Sequence, residues 1–196
     1  SDARSTDVSV RARSDTNILA VVNPTTHRIL LVNTPRDYYV PLARNGQMDK
    51  LTHAGIYGIE ESIATLENLY GVDVSYYARI NFYGLKDIVD AVGGIDVVSP
   101  LSFTLSTNAC SKSGEIDREV VEGVNHMDGA KALAFARERY GFADGDNQRG
   151  KNQMAILQAL TAKLTKASTL VNYQSILTAV SNNMTTNLSY EDITAL

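Results

Sequence analysis

Val72-Asp-Val-Ser-Tyr-Tyr-Ala-Arg-Ile-Asn-Phe82-Tyr-Gly-Leu85-Lys-Asp-Ile88-Val89-Asp-Ala-Val92-Gly93-Gly94-Ile95-Asp-Val-Val98 reads as three elements in succession. Val72 to Phe82 is β-rich and carries Tyr76 and Tyr77, which predicts a strand. Leu85, Ile88, Val89 and Val92 then recur at spacings of three and four, the period of a helix with one buried face. Gly93-Gly94 ends that helix. No helix starts directly after the pair, so it reads as a C-cap and not as a phosphate-cradling loop. Ile95-Asp-Val-Val98 is the next strand. Strand, helix and strand in alternation argue for an α/β fold, and the expected form is a central mixed β-sheet flanked by helices in α-β-α layers.

Toward the N-terminus, Ile56, Ile59, Ile63, Leu66 and Leu69 mark an amphipathic helix that stops at Gly71. Residues 41–54 read as a loop. Before them, Asn17-Ile-Leu-Ala-Val-Val22 and Arg28-Ile-Leu-Leu-Val-Asn33 flank Asn23-Pro24-Thr25-Thr26, the pattern of a hairpin. Pro35 ends its second strand and fixes the backbone beside Arg36. Ligands of α/β sheets bind at strand ends, so Arg36 is a candidate site residue; a surface ion pair with Asp37 is the other reading.

Toward the C-terminus, residues 99–118 are rich in Ser, Thr, Asn and Gly and read as a surface excursion containing Cys110. Asp128 can cap a helix running through Ala136. Met154, Leu157, Leu160 and Leu164 give one further amphipathic helix, and Leu170, Tyr173, Ile176, Leu177, Val180 and Met184 another. Ser189-Tyr-Glu-Asp192 has the spacing of a capping box. There are no internal repeats.

The chain has 196 residues, 44% of them hydrophobic, which is enough for one globular domain over residues 1–196 with a sizeable core. The net charge of −4 argues against a general nucleic-acid surface, so basic residues must act locally. Arginines outnumber lysines, 11 to 7, which suits bidentate contacts better than a diffuse positive field. Cys110 is the single cysteine, which excludes a disulfide or a cysteine-based metal site within the sequence. No apolar run approaches the roughly 18 residues of a membrane span, and residues 1–20 lack the pattern of a signal peptide. The expectation is an excised domain whose anchor, if it has one, precedes residue 1.

The chemistry concentrates in Ala134-Phe-Ala-Arg137-Glu-Arg139-Tyr-Gly-Phe-Ala-Asp-Gly-Asp146-Asn-Gln148-Arg149-Gly-Lys151-Asn-Gln153. Planar guanidinium forks match phosphate oxygens, so three arginines with a lysine and two glutamines suit a multiply charged anion. A solvated charged turn has the same composition. Arg137 and Arg139 would diverge in a continuing helix and converge only where the backbone leaves it, which Gly141 and Gly145 permit. The next helix is expected to start near Asp146 or Asn147, either of which can serve as N-cap, with Arg149 and Gln153 on one face near an anion-favouring N-terminus.

Nothing resembles a nucleophilic triad, and His27, His53 and His126 have no metal-site spacing. Phosphoryl transfer needs no protein nucleophile, because positioning, a divalent cation and arginines can supply most of the catalysis. Asp2 and Asp15, each beside arginines, are the candidate ligands for Mg2+; ordinary surface ion pairs would look the same.

Taken in order, Asp2-x-Arg4, Arg13-Ser14-Asp15, Pro35-Arg36-Asp37, Gly93-Gly94-Ile95-Asp96-Val97, Asp128-Gly129-x-x-Ala132-Leu133-Ala134-x-x-Arg137-x-Arg139 and Asp146-x-x-Arg149-x-x-x-Gln153 resemble the LytR-CpsA-Psr family over nearly the whole chain. The resemblance implies a membrane-anchored enzyme on the extracytoplasmic face of a bacterial envelope. Such enzymes transfer teichoic acids, capsular polysaccharides or other glycopolymers from a polyprenyl-pyrophosphate carrier to peptidoglycan, and some glycosylate proteins. Carried over by position, Asp2 and Asp15 would hold Mg2+, and Arg13, Arg36, Arg137, Arg139, Arg149 and Gln153 would bind the pyrophosphate. Asp146 would assist the acceptor hydroxyl. The family's prenyl chain lies in an apolar tunnel between sheet and helices. One departure is that the family places an apolar strand directly before Asp-x-Arg, whereas this sequence begins inside the motif; metal binding at Asp2 depends on that strand. Two function classes follow: a phosphotransferase, with hydrolysis of the lipid pyrophosphate as a side activity, and a non-catalytic receptor for lipid pyrophosphates.

Overall fold

The computed structural model describes residues 11–26, 28–139, 142, 145–164, 176, 178, 183–189 and 191–192. The elements in chain order are β1 (Asn17–Asn23), β2 (Arg28–Thr34), β3 (Tyr39–Pro41), β4 (Met48–Lys50), α1 (Leu51–Tyr57), α2 (Ile59–Tyr70), β5 (Ala78–Ile80) and α3 (Phe82–Ala91). They continue with β6 (Ile95–Ser99), β7 (Phe103–Thr104), α4 (Thr107–Cys110), β8 (Glu119–Val120), β9 (Gly123–Met127), α5 (Gly129–Arg137), α6 (Gly145–Leu164) and β10 (Met184–Thr186). The class is α/β, as expected. Among the described residues the strands pair two by two and antiparallel, β1 with β2, β3 with β4, β5 with β10, β6 with β9 and β7 with β8. The chain forms two compact units, residues 1–81 with 183–196, and residues 82–182.

In the first unit, the hairpin forms as read, with Asn17 opposite Thr34 and Asn23 opposite Arg28. The Asn23 side-chain oxygen accepts from the backbone N–H groups of Thr25 and Thr26, an Asx turn that closes the loop. Residues 41–54 are not a loop throughout, because β4 and the start of α1 lie there. Strands of three residues are too short to show alternation, and the buried face of α1 is Leu51, Thr52, Ala54 and Gly55, too small and polar to register as an apolar stripe. Ile56, read as inward, is 41% exposed at the end of α1. Gly58 then separates α1 from α2, which ends at a left-handed Gly71. The strand read from Val72 shrinks to Ala78–Ile80, and its partner is β10, so Met184 belongs to a strand and not to a helix. The reciprocal box between Ser189 and Asp192 is present: each backbone N–H donates to the other's side chain, at 2.8 and 3.1 Å.

In the second unit, Gly93 and Gly94 both have positive φ, and Gly94 N–H donates to Val89 O, the six-to-one bond of a helix C-cap. The core joins Val89 and Val92 with Ile95 and Val97 of β6, Met127 of β9, Phe135 of α5, and Ile156 and Leu160 of α6. Leu105 is also in it, with Phe103, Cys110 and Ile116 packed against it, so the 99–118 segment is anchored and only partly a surface excursion. Phe135 is 1% exposed, and its burial contributes roughly 1.5–3 kcal/mol. The inward stripe of α6 is Asn152, Ile156 and Leu160, displaced from the expected Met154, Leu157 and Leu164, which are half-buried. Of the helix read over residues 170–180, Ile176 is helical and buried; Leu170, Tyr173, Leu177 and Val180 lie outside the described residues.

Candidate functional site

Two clusters of predicted site residues emerge, one in each unit. In the second unit, α5 starts at Asp128, whose carboxylate accepts the Lys131 N–H at 2.8 Å, and it ends at Arg137. Glu138 is already extended, with ψ of 130°. The break that separates the two arginines thus falls before Gly141. Arg137 Nη1 donates to Ala109 O at 2.9 Å and Nη2 to Ser111 Oγ at 3.3 Å, while its guanidinium lies 5.2 Å from the Phe82 ring centroid. Arg139 is exposed.

The helix that follows begins earlier than expected. Gly145 opens α6, so Asp146 and Asn147 lie inside its first turn and neither is the N-cap. A Cβ at Gly145 would come within 2.7 Å of Arg139 O, a close approach that lets α6 begin against Arg139. The last carbonyls of a helix lack the full set of intrahelical donors, and α6 adds side-chain donors at the end of α5, where Phe135 O also accepts the Glu138 N–H. Asn152 Nδ2 donates to Phe135 O at 3.0 Å and Gln153 Nε2 to Ala136 O at 3.3 Å, with Gln148 Nε2 on Asn152 Oδ1. Gln153, expected at the head group, therefore also ties the two helices together. Arg149 is half-buried one turn before it. The side chain of Asp146 lies outside the described residues.

In the first unit, Thr52 aligns two segments through its backbone. Its N–H donates to Arg36 O at 2.8 Å and its C=O accepts the Ser14 N–H at 3.1 Å. Arg36 Nη1 then bonds Asp15 Oδ1, and Arg36 Nε lies 3.7 Å from Asp37 Oδ2. Arg36 makes the surface ion pair with Asp37 and stands at the turn that follows β2. Arg13 is exposed, and Asp2 lies outside the described residues. Among the described residues, the buried Arg36 Nε, Ser14 Oγ and Thr52 Oγ1 make no hydrogen bond. Carboxylate and hydroxyl oxygens are the ligand types that suit a hard cation, and a guanidinium suits an anion.

Three residues at these clusters escape a sequence reading. Lys50 Nζ donates to Asp37 Oδ1 at 2.9 Å, adding a cation beside Arg36. Thr52 acts through its backbone. Glu138, fully buried between two arginines, looks in sequence like one more member of a charged run. His53 and His126 are each held through Nδ1 by a carboxylate at 2.8 Å, Asp49 and Asp96, and no group of three metal-ligating side chains occurs among the described residues. His27 lies outside them.

The model of the LytR_cpsA_psr family matches residues 1–196. The chain belongs to this family. A polyisoprenyl-teichoic acid–peptidoglycan teichoic acid transferase, TagU of Enterococcus faecalis, is 38% identical over 184 residues, 93% of this chain and 57% of that protein. The chain thus spans little more than half the length of the curated relatives it matches. Among solved members, B. subtilis TagV aligns over 94% of this chain and 70% of its own with a TM-score of 0.80 at 30% identity. TagT bound to LI-WTA aligns over 95% and 68%, with a TM-score of 0.73 at 30% identity. LytR-CpsA-Psr membership agrees with the order of motifs from Arg13 to Gln153.

Proposed function

We propose that the chain is the catalytic domain of a glycopolymer phosphotransferase. It moves a teichoic acid, capsular or other wall polysaccharide from a polyprenyl-pyrophosphate carrier to peptidoglycan, or to a protein acceptor, outside the membrane of an anchored protein. The observation that carries this reading is the α5–α6 junction: a helix stops at Arg137, Arg139 is exposed, and a new helix starts at Gly145 with Arg149 near its N-terminus. Guanidinium forks beside a helix N-terminus suit a pyrophosphate. The name of the E. faecalis relative supports the donor and acceptor classes.

Arg137, Arg139 and Arg149 stabilise charge on the pyrophosphate, with Gln153 beside them, and Arg13 and Arg36 add cationic contacts. Asp15, joined by Asp2, would hold Mg2+, which would supply neutralisation of phosphate charge. In the transfer the acceptor hydroxyl oxygen bonds to the sugar-linked phosphorus and the bond from that phosphorus to the polyprenyl phosphate breaks. The hydroxyl proton passes to the Asp146 carboxylate. Water in place of the acceptor gives hydrolysis. The test is release of polyprenyl monophosphate from a synthetic lipid-linked glycan with peptidoglycan present, beside mass spectrometry of the purified protein for bound lipid. Bound lipid without turnover would replace the enzyme by a receptor.

A further inference from the structure

We infer that Glu138 is a positioning residue whose buried carboxylate sets the directions of Arg137 and Arg139. The inference rests on the reading of these arginines as an anion site. Glu138 stands between them and is 0% exposed. A carboxylate withdrawn from water is costly unless its oxygens are hydrogen-bonded. Oε2 accepts the Ser106 N–H, and Oε1 accepts the Arg139 N–H at 2.9 Å.

These two bonds refer both arginines to one group. Arg139 is fixed through its own amide, one residue after the chain turns extended at Glu138. Arg137 is fixed indirectly: Ser106 caps α4 by accepting the Ala109 N–H, and Ala109 O takes Arg137 Nη1. The carboxylate thereby ties the end of α5 to the segment on which the Arg137 guanidinium rests.

Charge and geometry predict opposite signs. A carboxylate beside an anion site repels the anion, so by Coulomb's law alone Glu138→Gln should tighten binding a few-fold and Glu138→Asp should leave it unchanged. As a positioning residue, Glu138 should behave otherwise. Gln offers an N–H2 to a site that holds two donors, and Asp is one methylene short, so both variants should bind more weakly, on the order of 10-fold.

The experiment is calorimetric titration of the whole chain with inorganic pyrophosphate, with amide hydrogen exchange on the same proteins. Weaker binding by both variants, with faster exchange at Arg139 and Ser106 and unchanged protection in the α5 core, is the expected result. Equal or tighter binding by folded Glu138→Gln overturns the inference; should that variant fail to fold, wild-type affinity in Glu138→Asp does so. If the wild type binds no pyrophosphate, the anion-site reading fails on its own account. Exchange then decides whether Glu138 holds the turn, and unchanged exchange at Arg139 and Ser106 in both variants overturns that as well.

Discussion

Gly55 and Ser14 approach so closely that a Cβ on Gly55 would lie 2.8 Å from the Ser14 nitrogen, and 2.6 Å from Ala12 O. Real side chains do not tolerate such contacts, so the segment bearing Arg13 and Asp15 can lie along α1 only because residue 55 lacks a side chain. Gly55→Ala must push backbone against backbone. The expected cost is about 1–3 kcal/mol in denaturant unfolding, and, if Asp15 holds Mg2+ as proposed, weaker ligand binding in its presence, because Asp15 moves with Ser14. An alanine variant as stable as the wild type would show that the segment shifts freely.

The parts of the fold that were legible in sequence are those with a period or a stop signal. Asn17–Thr34 carries apolar runs around a turn, Asp128 precedes an apolar helix, and Gly93-Gly94 can end one without strain. What was not legible depends on contacts made across the chain. α1 is buried through Thr52, Ala54 and Gly55, whose value lies in small size and backbone bonding, so no periodicity marks it. Asn152 sits in the inward stripe of α6 because its side chain adds a second donor to Phe135 O, which already accepts the Glu138 N–H, and that contact exists only once α5 lies beside it. Around the α5–α6 junction, the candidate arginines follow from motif order, whereas the start of α6 at Gly145 and the burial of Glu138 do not.

Asp15 Oδ1 accepts from Arg36 Nη1. If Mg2+ bridges this carboxylate and a phosphate, lipid pyrophosphate should bind strongly only with the cation present, since the bare carboxylate repels the ligand. Asp15→Ala should abolish that dependence. Equal wild-type affinity in Mg2+ and in chelator would remove Asp15 from any metal role.

Cys110 is partly buried, and burial pushes its thiol above the ordinary range; the Arg118 guanidinium pulls the other way and Glu138 adds a smaller upward push. The thiol should therefore be protonated at neutral pH and react slowly. The rate of alkylation by iodoacetamide should rise at higher pH than for free cysteine, and Arg118→Ala should move the rise higher still. A profile centred below that of free cysteine would contradict this assignment.

Arg149 separates catalyst from receptor. It lies on α6 one turn from Gln153, whose amide is bound to the end of α5, so the guanidinium is carried on a braced helix near its N-terminus. If it stabilises charge that develops during transfer, Arg149→Ala should slow turnover more than it weakens ground-state binding. A charge-assisted hydrogen bond is worth roughly 1.5–3 kcal/mol, which corresponds to a loss on the order of 10- to 100-fold in rate. Lysine should rescue only part of this, because an ammonium cannot reproduce the planar fork. The measurement pairs turnover of a synthetic lipid-linked glycan with affinity for an unreactive analogue. A loss of affinity that accounts for the whole loss of rate would mean that Arg149 binds donor and transition state equally.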